Sequence, residues 1–327
     1  MKAYLELTSG GQMRRLRKAA VDACQKLGIE PGKVQPLNHG ENTTFAVTEP
    51  NGKKWNLRLH RPGYQTRASV ESELEFLAKL HPKLGSGFVC PGPHRQGTVI
   101  ATAPGVEDRI ASALEWIDGK FLGDGVEPRH LFAVGKVTAR LHQFAEAFSP
   151  SAPFTRNAWH DPIALSENAV AEIEAFVPAE DFVKARNILE DRIAVLGKSA
   201  EYGLIHADLH LGNVFFAKGA VAVIDFDDLG WAHHAYDYAV SLTQFRNAAD
   251  FVDLREAYGE GYETLRPLPK DWRDRLEVFL AARIVAMTQW FMMRKDNPRL
   301  RGYAAEALPR WAVEMERYVR TGSLRPA

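Results

Sequence analysis

The stretch His206-Ala207-Asp208-Leu209-His210-Leu211-Gly212-Asn213, followed after the strand-like run Val221–Ile224 by Asp225-Phe226-Asp227, decides how this chain reads. It supplies a carboxylate, an amide and a second carboxylate in the order that phosphoryl transfer uses. Asp208 is the candidate base, because a carboxylate there can orient an acceptor hydroxyl in line with a γ-phosphorus and take its proton. Asn213 lies past one loop turn, where its side-chain oxygen can return to the same site and ligate Mg2+. Asp225 emerges from the strand, placed to bridge metal and phosphates. Hard Mg2+ prefers oxygen donors and needs only one or two protein groups when phosphates supply the rest. If Asp208 and Asn213 merely bonded their own loop backbone, Asp225 would be a coincidence. His206 reads as a hydrogen-bonding brace. His210 is the second candidate catalytic residue, facing the transferring phosphate and lending it positive charge when protonated.

The bulk numbers exclude several classes. Lys+Arg and Asp+Glu balance at 41 each, so net charge points to neither nucleic acid nor an acidic membrane. Hydrophobic residues make up 46% of the 327, enough to fill a core in one large domain or two modest ones. Cys24 and Cys90 are far apart and lack metal-site spacing, which fits a reducing compartment. Met1–Gly10 lacks the apolar run of a signal peptide. The most apolar stretch, Val278–Met293, is interrupted by Arg283 and is shorter than the ~20 residues a bilayer span needs. The expectation is a soluble cytoplasmic protein that binds neither nucleic acid nor membrane; its oligomeric state has no signature.

Periodicity divides the chain. Met13–Leu27 reads as a helix with Leu16, Ala19, Ala20, Ala23 and Leu27 on one face, ended by Gly28. Val34–Leu59 reads as two strands around Glu49-Pro50-Asn51-Gly52, where Asn-Gly is a hairpin signal. Thr66–Leu80 reads as a helix, and Thr98–Thr102 with Ile110–Ile117 as a strand pair around Pro104-Gly105. After Asp118-Gly119 helices dominate: Leu131–Phe144, Phe182–Leu196, Trp272–Met293 and Tyr303–Tyr318. The expected fold is α+β and bilobal: a small strand-rich lobe over residues 1–117, a larger helical lobe over 118–327, and a cleft between them.

With these motifs in place, His-x-Asp-Leu-x3-Asn followed by Ile-Asp-Phe-Asp resembles the aminoglycoside-phosphotransferase and choline-kinase-like family, within the wider protein-kinase-like fold. Type II homoserine kinases and bacterial stress-response Ser/Thr kinases belong to the same group. The resemblance runs from about Leu37 to Leu242 and implies ATP and Mg2+ as cofactors. It makes Gly40–Thr44, with Gly40 and Asn42, the nucleotide-covering loop. Asn56-Leu57-Arg58-Leu59 falls where the family's strand carries a phosphate-binding Lys; here that residue is Arg58, and the exchange is not neutral. Glu73 resembles its acidic partner, with Glu71 and Glu75 as rivals. Leu114–Gly119 resembles the segment joining the lobes, where backbone groups of Glu115 and Ile117 would bond adenine. Leu141-His142 matches a helix end to which only packing is assigned. Asp237 resembles a buried Asp that fixes the catalytic loop.

Departures from protein kinases narrow the class. Ala207 replaces the Arg that reads a phosphorylated activation loop, Asp227 replaces the Gly of Asp-Phe-Gly, and no Ala-Pro-Glu follows. The leading expectation is a kinase acting on the hydroxyl of a small-molecule acceptor, of the homoserine, choline or aminoglycoside kind. The first alternative is a Ser/Thr protein kinase of the stress-response type, for which the segment Asp161–Lys198 is the discriminator. Arg58 motivates a second, a non-catalytic nucleotide-binding pseudokinase. A metal-dependent hydrolase built on His206, Asp208, His210 and His233-His234 lacks a clear third ligand cluster. The acceptor itself is not encoded: Asp161, Asp228 and Trp231 are candidates to line its pocket, and GTP is not distinguished from ATP.

Overall fold

The computed structural model describes residues 4–40, 42–85, 87–123, 125–151, 153–158, 163–197, 201–217, 220–294 and 298–325. In chain order the elements begin with α1 (Ser9–Leu27), β1 (Lys33–His39), β2 (Thr43–Thr48), β3 (Lys54–Leu59), α2 (Arg67–Leu80), β4 (Phe88–Val89), β5 (Pro93–Ala103), β6 (Val106–Glu115) and β7 (Lys120–Phe121). Then come α3 (Pro128–Ala147), α4 (Glu167–Ile173), α5 (Glu180–Leu196), β8 (Tyr202–Ile205), β9 (Val214–Ala217), β10 (Ala220–Val223) and β11 (Gly230–His233). The chain closes with α6 (His234–Leu242), α7 (Phe251–Glu263), α8 (Trp272–Met292) and α9 (Pro298–Thr321). The chain forms two compact units. Met1–Lys120, Phe148–Arg156 and Phe215–Asp227 make the first; Phe121–Ala147, Asn157–Val214 and Asp228–Ala327 make the second.

The first unit is strand-rich. Its main sheet has the order β1-β2-β3-β6-β5, with every neighbouring pair antiparallel. Val34–Leu59 holds three strands, not the two that periodicity predicts. The first ends at His39 and the second begins at Thr43, a break that the apolar pattern does not mark. The Asn-Gly turn stands as predicted: Gly52 takes φ +86° and donates its amide to Glu49 O at 2.9 Å. Helix α1 starts earlier than its apolar pattern, because Thr8 caps it by accepting the Gly11 amide at 3.3 Å. Its buried face (Leu16, Ala19, Ala20, Ala23, Leu27) packs with Phe45, Val47, Leu57, Leu59 and Ala111 of the sheet. Helix α2 is capped by Thr66, which accepts the Ser69 amide at 3.1 Å. A second sheet pairs β10 in parallel with β4 and sets β9 on the other side of β10. Two later segments of chain are anchored to α2 by aromatic contact: the Phe148 and Phe226 rings lie 5.1 Å and 6.1 Å from that of Phe76.

The second unit is helix-rich. Helices α3 and α7 approach at glycines. A Cβ on Gly135 would fall on the Tyr258 carbonyl, and one on Gly261 on the Phe132 carbonyl. All nine residues of α6 are buried, so it has no polar face and no helical period to read. Strands β8 and β11 pair antiparallel, with Ile205 opposite Gly230 and Tyr202 opposite His233. Among the described residues no helix is long and apolar enough to cross a membrane.

Candidate active site

In the second unit, β8 delivers the chain into His206–His210, and a 3-10 turn over Leu211–Asn213 returns it to β9. The loop is tied down from beneath. Asp237, fully buried on α6, accepts the His206 amide at 3.0 Å and the Ala207 amide at 2.8 Å. Ala207 takes φ +65°, a left-handed conformation that costs a non-glycine residue about 1 kcal/mol or more and persists only where surroundings hold it. Ser241 adds a bond to Leu209 O at 2.7 Å. Asp237 therefore does what the resemblance implies. His142, to which only packing was assigned, does more: its Nε2 meets Asp237 at 3.1 Å and its Nδ1 the Tyr262 hydroxyl at 2.9 Å. Burial, reinforced by the Arg266 charge, pushes its pKa down to about 3, so the ring is neutral. The Nε2–H then donates to the carboxylate, which keeps its charge, and the Tyr262 hydroxyl donates to Nδ1.

Asp208 is held by both oxygens. Oδ1 accepts from Arg283 Nη2 at 2.6 Å, and Oδ2 accepts from Asn213 Nδ2 at 3.1 Å. Burial would raise its carboxyl, but the hydrogen bond from His210 and the Arg283 charge overcome this, and it lies well below the usual carboxylate range. It is ionised across the physiological range. Asn213 also donates to Asp208 O at 2.9 Å. Its amide nitrogen is thus turned inward, and its Oδ1 makes no hydrogen bond among the described residues. His206 Nδ1 accepts the Asp208 amide at 3.3 Å, the expected brace. His210 Nδ1 accepts the Gly212 amide at 2.9 Å, and its Nε2 lies 3.4 Å from Asp208 Oδ2. Through this Nδ1 bond the ring braces the turn that carries Asn213.

In the first unit, Arg58 on β3 is the hub. It is 4% exposed, with Nη1 at 3.2 Å from Glu73 and Nη2 at 2.7 Å from Asp225. Burial alone would lower the guanidinium pKa, but Asp225, Glu73 and Asp227 raise it, so its charge is permanent. Burial pushes the Glu73 carboxyl up, with Arg58 opposing. The rivals of Glu73 face elsewhere: Glu71 accepts from Arg67 at 2.8 Å on exposed surface, and Glu75 accepts from Lys79 at 2.7 Å where the pair is partly buried. Asp225 also takes φ +65°. One of its oxygens meets Arg58, and the other has no partner among the described residues. Asp227 is buried, and sequence reasoning had seen it only as a replaced glycine. It accepts from Asn42 Nδ2 at 2.8 Å, and Asn42 in turn accepts the Arg61 amide at 3.1 Å. Gln65 and Arg156 both donate to Asp227 O. His60, neutral through burial and the charges of Arg58 and Arg156, lies 3.9 Å from Asp227.

The first unit thus brings together Asn42, Arg58, Glu73, Asp225 and Asp227; the second brings together Asp208, His210 and Asn213. Gly40 belongs to the first unit and has neither a positive φ nor a crowded Cβ position, so nothing local demands glycine there. Glu41 and Asp161 lie outside the described residues. The Glu115 amide is committed to Gly92 O at 2.8 Å. Asn213 and Asp225 each carry an oxygen with no hydrogen-bond partner among the described residues, and oxygens of this kind are the hard donors Mg2+ prefers. Arg283 is the residue that sequence reasoning missed. Its signal was present: it is the single charge in the apolar stretch Val278–Met293.

A strand-rich unit built on a strand arginine paired to a helix glutamate, and a helical unit whose His-x-Asp loop is pinned by a buried acid, define a protein-kinase-like phosphotransferase. The chain belongs to the phosphotransferase enzyme family, whose sequence profile matches residues 33–275. It is 30% identical to the homoserine kinase of Rhizobium etli over 218 residues, 63% of this chain and 64% of that protein. It is 25% identical to the amicoumacin kinase of Bacillus subtilis over 232 residues, covering 68% of this chain and 66% of that protein. The chain thus spans about two thirds of the length of each of these relatives. Among solved structures, a microcompartment-associated aminopropanol kinase superposes with a TM-score of 0.72 at 24% identity, over 90% of this chain and 94% of that one.

Proposed function

We propose that this phosphotransferase moves the γ-phosphoryl group of ATP to a hydroxyl of a small-molecule acceptor. Asp208 orients that hydroxyl and takes its proton. Asn213 and Asp225 supply oxygen ligands to Mg2+, which when bound neutralises charge on the phosphates. Arg58, held by Glu73, contacts the phosphates in place of the usual Lys; Gly40 and Asn42 belong to the loop that covers them. The Glu115 carbonyl and the Ile117 amide receive the base. His210 braces the turn that carries Asn213.

The observation that carries this reading is the Asp208 loop itself. A strained backbone at Ala207 is over-determined by two bonds from a fully buried Asp237, and the loop presents an ionised carboxylate. Such arrangements cluster at catalytic sites. Relatives named as homoserine and amicoumacin kinases support a metabolite-sized acceptor over a protein serine or threonine. The test is acceptor-dependent ADP release by the purified protein with Mg2+ and ATP. Asp208→Asn is expected to lower kcat by about 10²- to 10⁴-fold. Unchanged turnover in that variant removes Asp208 from the chemistry.

A further inference from the structure

Arg283 is unused in the reading above, yet it stands against Asp208. It projects from α8 in the second unit, with a side chain 19% exposed. Nη2 donates to Asp208 Oδ1 at 2.6 Å and Nη1 to the Tyr236 hydroxyl at 3.3 Å, and the guanidinium carbon lies 6.0 Å from the Tyr236 ring centre. Tyr236 is 3% exposed and fixed on α6, so the guanidinium is held from two sides. A guanidinium carries five N–H donors. Nε and the remaining N–H groups of Arg283 make no hydrogen bond among the described residues. Asp208 does not depend on Arg283 alone for its orientation, because Asn213 holds its other oxygen. The cation therefore has donors to spare at the place where an acceptor's hydroxyl must come.

Resting on the assignment of Asp208 to the acceptor hydroxyl, we propose that Arg283 is the acceptor-recognition residue and binds a carboxylate carried a few bonds from the hydroxyl to be phosphorylated. The acceptor class is then a hydroxy acid or a hydroxylated amino acid, not a simple amino alcohol. A planar guanidinium matches a carboxylate bidentately. An acceptor whose only charge is an ammonium would set like charges side by side in a partly dry site, which selects against it.

The test uses acceptors that differ only in the carboxylate: L-homoserine and 3-aminopropan-1-ol, with 4-hydroxybutyrate as the acid lacking the amine. kcat/KM is measured by ADP release for the wild type, Arg283→Gln and Arg283→Lys. Binding of each acceptor is measured by calorimetry with a non-hydrolysable ATP analogue present. The wild type is expected to favour the two acids over the amino alcohol by about 10²-fold. Arg283→Gln should bring that ratio close to one, mainly through KM, and Arg283→Lys should retain part of it. A wild type that favours 3-aminopropan-1-ol overturns the proposal. So does an Arg283→Gln variant that slows all three acceptors equally, since that assigns Arg283 to holding Asp208. Binding that depends on the carboxylate and on Arg283, without phosphorylation of any acceptor, supports the proposal while removing the kinase reading. Binding indifferent to the carboxylate overturns the proposal whatever the turnover.

Discussion

Arg58 joins two carboxylates through two different nitrogens, at 3.2 Å to Glu73 and 2.7 Å to Asp225. A lysine is a point charge and cannot span both with that geometry. The arginine is thus a bridge between the two, and the difference shows in stability. Arg58→Met strands Glu73, 1% exposed, without its counter-charge. Breaking a buried pair from one side costs about 3–5 kcal/mol. Glu71→Ala removes an ion pair whose partners are both about half exposed, and such pairs contribute about 1 kcal/mol or less. Urea unfolding should separate the two variants by several-fold in lost stability, and equal losses would mean that the Arg58–Glu73 pair is not a structural strut. At this scale the sequence was legible where a motif fixed the position. Arg58, Asp208, Asn213 and Asp225 were each identified by number. The choice among Glu71, Glu73 and Glu75 was open, because only burial distinguishes them. His142 and Arg283 stood out in the sequence only as single residues; their pairing with Asp237 and Asp208 was not readable, because those partners lie 95 and 75 positions away.

The elements that bear strong periodicity were also legible. α1, α2, α3, α5, α8 and α9 stand where apolar residues recur at helical spacing, with ends displaced by caps such as Thr8. α6 was not, since a helix buried all round has no amphipathic signal, although it carries the Asp237 that pins the His206–His210 loop. The same helix and its neighbours set the pH response. Burial, with neighbouring positive charge, lowers His142 to about 3 and His233 and His234 to about 4. Each has an unfolded value of about 6.5. Between about pH 4 and pH 6.5 the unfolded chain therefore binds more protons, so stability rises with pH through that window and levels off above it, by up to about 1.4 kcal/mol per pH unit for each histidine. Thermal unfolding followed by circular dichroism should show this slope, and His142→Gln should flatten it. A Tm independent of pH across the window would mean that these rings are not held neutral.

For the molecule as a whole, the change from strand-rich to helix-rich sequence near Asp118-Gly119 was readable. The return of Phe148–Arg156 and Phe215–Asp227 to the first unit was not, because it rests on rings such as Phe76, Phe148 and Phe226 that meet only after folding. That return divides the motif: Asp208 and Asn213 belong to one unit and Asp225 to the other. We propose that Asn213 and Asp225 each supply a ligand to the divalent cation that accompanies the nucleotide. Electron paramagnetic resonance of Mn2+ bound with a non-hydrolysable ATP analogue tests it most directly. The expected result is a single high-affinity, nucleotide-dependent Mn2+ population that both Asn213→Ala and Asp225→Ala weaken. Mn2+ binding that survives either substitution undiminished would contradict it.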